Sequence, residues 1–407
     1  MYKVIENKAY SAQSLKPIAD SIEKLMKMDG IGFTQIPART HLFDQSTQLA
    51  AELGKKYEQF VVIGIGGSSM GSRALAELTS TQNLHFLDNV DAAEFSRLWN
   101  EVKKRSLAKT GFLVVSKSGS TIEILWNYSL IEQLMQEAGL SLISQSYFVS
   151  ELNDNPLAAL AKKHQRPLLE VPFDVGGRFS VLTPVGLVVA ALCGFNLNDL
   201  RAGAAAAVAD KGAVAEACAL YLDSFKRGED ITLFWFYNSN YRWFGAWLQQ
   251  LWAESLGKKL DLGGRPAPGF STPMSAIGAC DQHSILQQVA HGTKKNKFVC
   301  FFNFKSAEQS EYKIKHVAFG NIDFAVGKNY GELISNQVMA TEEALKQNGV
   351  STYSFKVNDE NKSYSVGYLF MYFQMIVATL GVHENINPFD QPGVALGKEL
   401  TLKKFQS

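Results

Sequence analysis

Two short apolar runs rich in β-branched residues, Phe60–Ile65 (FVVIGI) and Phe112–Val115 (FLVV), each stop abruptly in glycine and hydroxyl residues and then give way to a helical pattern. A chain that repeats this unit is confined to parallel sheets covered by helices, because a strand buried on both faces must be apolar throughout and its parallel neighbour must be reached by a crossover. Leu84–Leu87, Tyr147–Val149 and Leu168–Val171 continue the pattern and define a first α/β unit from about residue 45 to residue 195. The alanine-rich stretch Ala202–Ala219, which carries Gly203 and Gly212, reads as a helix with a thin packing face bridging to a second unit. That unit begins at Ile231–Phe236 (ITLFWF), continues through a helical pattern over Tyr241–Leu256 and shows strand-like runs at Phe298–Phe302 and Thr352–Phe355. The expected division is an N-terminal segment over 1–44 packing on the core, α/β domains over 45–200 and 201–385, and a C-terminal segment over 386–407. After Pro388 the chain reads as a loop followed by a short charged stretch.

Bulk composition narrows the partners. Lys and Arg total 40 against 39 Asp and Glu across 407 residues, a balance that speaks against nucleic acid or another polyanion. The four cysteines, Cys193, Cys218, Cys280 and Cys300, are widely separated and form no CxxC pair, so they read as reduced, structural thiols of a cytoplasmic protein. The start, MYKVIENKAY, has no cationic region leading into an apolar core. The longest apolar stretches, Val181–Phe195 and Tyr368–Val382, are interrupted by Pro184 and Gln374 and read as core helices, with no membrane partner expected.

The chemistry lies in the turns. In Phe112–Thr121 (FLVVSKSGST), Ser116, Lys117, Ser118, Ser120 and Thr121 follow a buried strand, and a helix N-terminus there favours an anion. The competing reading is an ordinary strand-to-helix turn with serine and threonine as caps. Gly66-Gly67-Ser68-Ser69-Met70-Gly71 repeats the design, its glycines permitting close backbone approach to a ligand. Two such turns point to one phosphorylated small molecule held between them. A dinucleotide fingerprint is the rival reading of Gly64-x-Gly66, although Ser69 stands where it wants Gly or Ala, and Asp88 or Asp91 would have to bind the ribose.

Further segments supply acids, bases and cations. Asp174–Leu187 (DVGGRFSVLTPVGL) sets Arg178 behind two glycines, where a guanidinium suits an anion or a developing oxyanion; its plain alternative is a surface ion pair. In WLQQLWAESLGK, Gln250 and Glu254 are four apart and share a helix face, and a surround of Trp243, Trp247 and Trp252 is expected to desolvate Glu254 toward a general base; the alternative is a surface pair of Glu254 with Lys258. His283 sits among polar neighbours in Asp281-Gln282-His283-Ser284, while His283 and His291, eight apart, make no metal signature. Asn387–Lys398 (NPFDQPGVALGK) sets Gln391 and Lys398 around a Pro-Gly turn, or is a plain loop.

Taken in order, these segments resemble the phosphoglucose isomerase family over roughly residues 60 to 400: GIGGSSMGS its glycine-serine turn, SKSGST its phosphate loop, VGGRFS its arginine loop, QQLWAESLGK its glutamate helix and FDQPGVALGK its lysine signature. The chain departs from the pattern at Ala395, where the family usually has Glu, at Ala253 and Leu256, where the helix commonly has Met and Asn, and at Ser120, where Thr is common. The resemblance implies two sugar-isomerase α-β-α sandwiches with mostly parallel sheets and a C-terminal helical extension, and interconversion of glucose 6-phosphate and fructose 6-phosphate through an enediol. It implies Glu254 as the base that moves the proton between C1 and C2, His283 and Lys398 as ring-opening groups, and Arg178 as stabiliser of the enediolate. Gln250 and Gln391 would orient the sugar, and Gly67, Ser68, Ser116, Lys117, Ser118 and Thr121 would hold its phosphate. No metal or other cofactor is required, and a homodimer is implied in which His283 of one subunit completes the other's site. The remaining alternatives are an isomerase that also accepts mannose 6-phosphate and a non-catalytic sugar-phosphate sensor, which has no need of a base and a ring-opening pair together.

Overall fold

A computed structural model describes residues 3–5, 10–305 and 311–406, with the side chains of 3–5 and 406 left aside. Among these, ten strands form: β1 (Lys3–Ile5), β2 (Gln59–Ile63), β3 (Leu84–Leu87), β4 (Thr110–Val115), β5 (Ser146–Ser150), β6 (Leu168–Glu170), β7 (Ile231–Phe236), β8 (Thr272–Ile277), β9 (Lys297–Phe304) and β10 (Ser351–Val357). They make two five-stranded sheets, ordered β3-β2-β4-β5-β6 and β1-β10-β9-β7-β8. Every pairing is parallel except that of β1 with β10.

Side-chain alternation explains why both sheets are covered twice. In β2 and β4, Phe60, Val62, Leu113 and Val115 enter one core with Leu49, Leu53, Val185 and Val188. Val61, Ile63, Phe112 and Val114 enter another with Trp99, Tyr128, Ile131 and Leu157. The second sheet repeats this: Phe234, Phe236, Phe302 and Phe355 face the helix Lys362–His383, whereas Leu233, Trp235, Val299 and Phe301 face Val338 and Leu345. Each sheet is therefore an α-β-α layer, as the alternation of sequence patterns requires.

Lys362–His383 is long and apolar enough to cross a membrane, and its apolar window is wholly buried inside the protein. Its backbone presses on the helix Leu197–Ala209, since a Cβ at Gly203 would stand 1.9 Å from the Tyr364 carbonyl oxygen and one at Gly367 equally close to that of Leu200. This corrects the expected thin alanine-rich bridge. Ala202–Ala219 belongs to two helices, Leu197–Ala209 and Lys211–Lys226, parted at Asp210, whose carboxylate caps the second through the Ala213 N–H. Small residues there permit close helix contact in the core.

Three elements lay outside the sequence reading. β8 contains Pro273, which the edge of a sheet tolerates, and β8 is an edge strand. β1 adds an antiparallel edge at the other side of the same sheet. The tail after Pro388 is not merely a loop with a charged stretch but carries a twelve-residue helix, Ala395–Gln406.

Candidate active site

In the first sheet the chain turns one way from β2 to β3 and the other way to β4, so the carboxyl ends of β2 and β4 flank a topological switch point, where open α/β sheets bind ligands. Both glycine-and-hydroxyl turns leave from these two strands. After β4, the Ser116 and Thr121 hydroxyls are 3.1 Å apart and those of Ser118 and Thr121 3.4 Å apart. Thr121 is the first residue before the helix Ile122–Glu137, yet its side chain makes no cap bond, so the hydroxyls gather at the helix mouth instead of closing it. Such a cluster of hydroxyls on a positive helix end suits a phosphate. Lys117 does not join them. Its ammonium pairs with Glu151 at 3.2 Å and donates to the Phe173 carbonyl, turning its charge toward the neighbouring loop.

The turn after β2 uses its glycines for protein contact. A Cβ on Gly67 would lie 2.6 Å from the Gly177 carbonyl and 2.9 Å from the Arg178 nitrogen, and one on Gly66, at φ +59°, would lie 3.1 Å from the Gln250 amide nitrogen. The close approach expected toward a ligand is thus an approach to the arginine loop and the glutamate helix, with Ser68 at the end of the same turn. Asp88 and Asp91, the two candidates for a ribose partner, are otherwise employed: Asp88 pairs with Arg73 at 2.9 Å and Asp91 caps the helix Ala92–Lys103.

Arg178 is the organising cation, with its side chain only 3% exposed. Its Nε donates to Ser255 Oγ at 2.7 Å, its Nη1 faces Glu254 Oε2 at 3.4 Å, and its Nη2 donates to the carbonyls of Pro388 and, at 3.0 Å, Asp390. Burial pushes its pKa down, opposed by the nearby Glu254 and Asp390 charges. The plain surface ion pair is therefore excluded. The loop is itself anchored from behind, by Gln374 of the long core helix donating to the Phe179 carbonyl at 3.0 Å.

Glu254 lies on the helix Arg242–Leu256, and its other oxygen, Oε1, accepts from Gln250 Nε2 at 3.0 Å. Gln250 Oε1 is buried without a partner among the described residues, an acceptor left over for a hydroxyl. The expected tryptophan surround is not what contacts the carboxylate. Trp247 packs edge-on to Phe370, Trp252 against Tyr221 and Phe234, and Trp243 lies over the Arg73 guanidinium at 3.7 Å. Gln250 and Arg178 hold Glu254 instead. Nor is Lys258 its ion-pair partner, because the ammonium pairs with the Asp390 carboxylate at 3.0 Å.

Gln391 follows directly on the carbonyl that Arg178 grips, and its side chain is exposed. Lys398 is exposed on Ala395–Gln406, sharing a helical face with Thr401 and Phe405, which line a cleft with Ile122, Glu123 and Trp126 at the start of the phosphate-loop helix. His283 ends a short 3-10 turn, Cys280–His283, exposed and without a hydrogen bond or ion pair among the described residues. The fold thus brings together Gln250, Glu254, Arg178 and the glycine turn, and leaves His283 outside that hydrogen-bonded group. Ser255, Lys258 and Asp390 were missed by sequence reasoning. A serine wholly buried beside a catalytic-type glutamate was the available signal for the first.

The four thiols are free, with Cys218 and Cys300 buried and Cys280 exposed, so Cys280 is not the structural core residue expected. Burial pushes the Cys300 thiol up to about 12.

The profile of the family described as phosphoglucose isomerase matches residues 41–406. The chain is 33% identical to a glucose-6-phosphate isomerase from Campylobacter jejuni, with 96% of each chain covered. It is 32% identical to one from Methanocaldococcus jannaschii, covering 94% of this chain and 92% of that one. In structure it is similar to a glucose-6-phosphate isomerase from Chlamydia trachomatis, with a TM-score of 0.81 at 20% identity over 100% of this chain and 88% of the other. It is also similar to a hypothetical protein from Thermus thermophilus, with a TM-score of 0.88 at 28% identity over 97% and 95% of the two chains.

Proposed function

Because the chain belongs to the phosphoglucose isomerase family, we propose that it interconverts glucose 6-phosphate and fructose 6-phosphate, and that the residues gathered at the switch point carry the chemistry. The observation that supports this best is the state of Glu254, whose two oxygens face Gln250 and Arg178 separately. A carboxylate held in this way is oriented to take a proton from carbon and return it, with a guanidinium beside the charge that develops.

In this reading Ser116, Ser118 and Thr121, with the turn at Gly67 and Ser68, seat the phosphate, and Lys117 contributes through the loop it ties to Glu151. His283 and Lys398 move protons at the ring oxygen and hydroxyl to open the sugar. Glu254 then removes the C2 proton and delivers it to C1, Arg178 stabilises the enediolate, and Gln250 and Gln391 orient the open chain. Each carbon-bound proton removed is replaced by one, so substrate and product differ only in where hydrogen sits, and no redox partner or metal is consumed. The assembly in this reading is a homodimer in which His283 of a second copy completes the site, supported by its exposed, unengaged position. A cytoplasmic location is supported by the four free thiols.

The test is conversion of fructose 6-phosphate to glucose 6-phosphate by the purified protein without added metal or nicotinamide, read by a coupled dehydrogenase. Turnover that follows enzyme concentration is expected. Sugar-phosphate binding without turnover would replace this reading by that of a sensor.

A further inference from the structure

Lys258 emerges from the end of the glutamate helix, after Gly257, and its side chain is only 6% exposed. The ammonium donates to the Glu254 carbonyl at 2.9 Å and the Asp390 carbonyl at 2.5 Å, and pairs with the Asp390 carboxylate at 3.0 Å. The Asp390 carbonyl is the same oxygen that accepts from Arg178 Nη2. Asp390 in turn accepts from Asn387 Nδ2 at 2.9 Å through its other carboxylate oxygen, which closes the turn before Gln391. One backbone carbonyl thus receives two cations, one from the arginine loop and one from the helix that carries Glu254.

A lysine buried this far costs desolvation, and burial does push its pKa down, with the neighbouring Arg178 acting in the same direction and Asp390 opposing both. The solvated alternative is open to a long flexible side chain at a helix end, so its retention among these oxygens needs a geometric reason. The reason on the page is what lies next in sequence: Gln391 immediately, and then Lys398 on the exposed helix Ala395–Gln406.

We infer that Lys258 and Asp390 form a strap that sets the C-terminal segment 387–398 against the glutamate helix, making Lys258 a positioning residue for Gln391 and Lys398. This rests on the isomerase reading for the roles of those two residues, but the strap itself does not. Placement errors of about 1 Å at a reacting centre cost on the order of 10²-fold in rate, so loosening the strap registers in kcat before it registers in phosphate affinity.

The experiment is Lys258→Met, with Asp390→Asn and the double variant, read by steady-state kinetics and by amide hydrogen exchange. The expected result is a kcat lowered roughly tenfold or more with KM within about twofold, faster exchange confined to 387–398, and a double variant no worse than the poorer single one. Unchanged exchange over 387–398 overturns the strap. Faster exchange there with unchanged kcat overturns the positioning role, and exchange raised along the whole of Arg242–Leu256 marks a folding defect and overturns it too. If the wild-type protein shows no isomerase activity, the functional reading fails while the exchange comparison still decides the strap.

Discussion

Arg178 faces Glu254 across 3.4 Å and is held there by bonds to neither substrate nor solvent but to Ser255 and two carbonyls of the C-terminal segment. The carboxylate therefore has its neighbouring cation fixed before any ligand arrives, which is the preorganisation that electrostatic catalysis requires. It also means that three separate stretches of sequence meet at one guanidinium.

Replacing Glu254 by Gln keeps the hydrogen bond to Gln250 and the shape beside Arg178 but removes the base. We expect kcat to fall by about 10³-fold or more while sugar-phosphate affinity stays within a few-fold. Equal loss of binding and turnover, measured by titration and steady-state kinetics, would make Glu254 structural.

Arg178→Lys retains the charge and loses the fork. A single ammonium cannot reach Ser255, Glu254 and two carbonyls together. The expected outcome is a fall in kcat of about 10²-fold or more with a lowered Tm, since buried acceptors left unpaired cost about 1–3 kcal/mol each. An unchanged kcat with lowered Tm would confine Arg178 to a structural role.

Ser118→Ala removes one hydroxyl from the cluster around Thr121. A phosphate contact acts on bound substrate and transition state alike, so KM is expected to rise several-fold with kcat nearly constant. A selective fall in kcat would place Ser118 at the reacting end of the sugar.

The pair Arg39–Asp174, at 2.5 Å, ties the N-terminal segment to the residue that starts the arginine loop, and the Arg39 hydrogen bond holds the Asp174 carboxyl below the usual carboxylate range. A carboxylate with a depressed folded-state pKa stabilises the fold above its unfolded value and loses that contribution as pH falls through the folded one. Asp174→Asn is thus expected to lower Tm at neutral pH, with the gap to wild type closing below the ordinary carboxylate range. A gap independent of pH, followed by calorimetry, would mean that charge is not the source.

If His283 completes the site of a second copy, two inactive variants repair one another. Mixing Glu254→Gln with His283→Ala and allowing subunits to exchange gives heterodimers with one site carrying both lesions and one carrying neither. Recovered activity is expected; none after verified exchange would put His283 and Glu254 of one chain in the same site.

Much of this was legible in the sequence because strands such as β2, β4 and β7 are apolar throughout and stop at glycine or hydroxyl residues, and because Gln250 and Glu254 share a face by spacing alone. The environment of Glu254 was not legible. Trp247 and Trp252 are close in sequence, but their rings serve the aromatic core, and the groups that do touch the carboxylate come from Arg178, far along the chain, and from one turn away. Gly67 was read as room for a ligand when the room is taken by Gly177 and Arg178, a distinction that only tertiary contact supplies. The helix Ala395–Gln406 escaped notice because its residues are exposed on all sides and show no one-sided apolar pattern.

The most direct test of the central claim, that Glu254 moves a proton between C2 and C1, is conversion of glucose 6-phosphate in deuterated water followed by NMR. The account predicts deuterium at C1 of the fructose 6-phosphate formed by the wild-type protein, through exchange of the enediol-stage proton, and neither conversion nor deuterium with Glu254→Gln. Full conversion with no solvent deuterium in the product, or undiminished deuterium incorporation in the Gln variant, would contradict it.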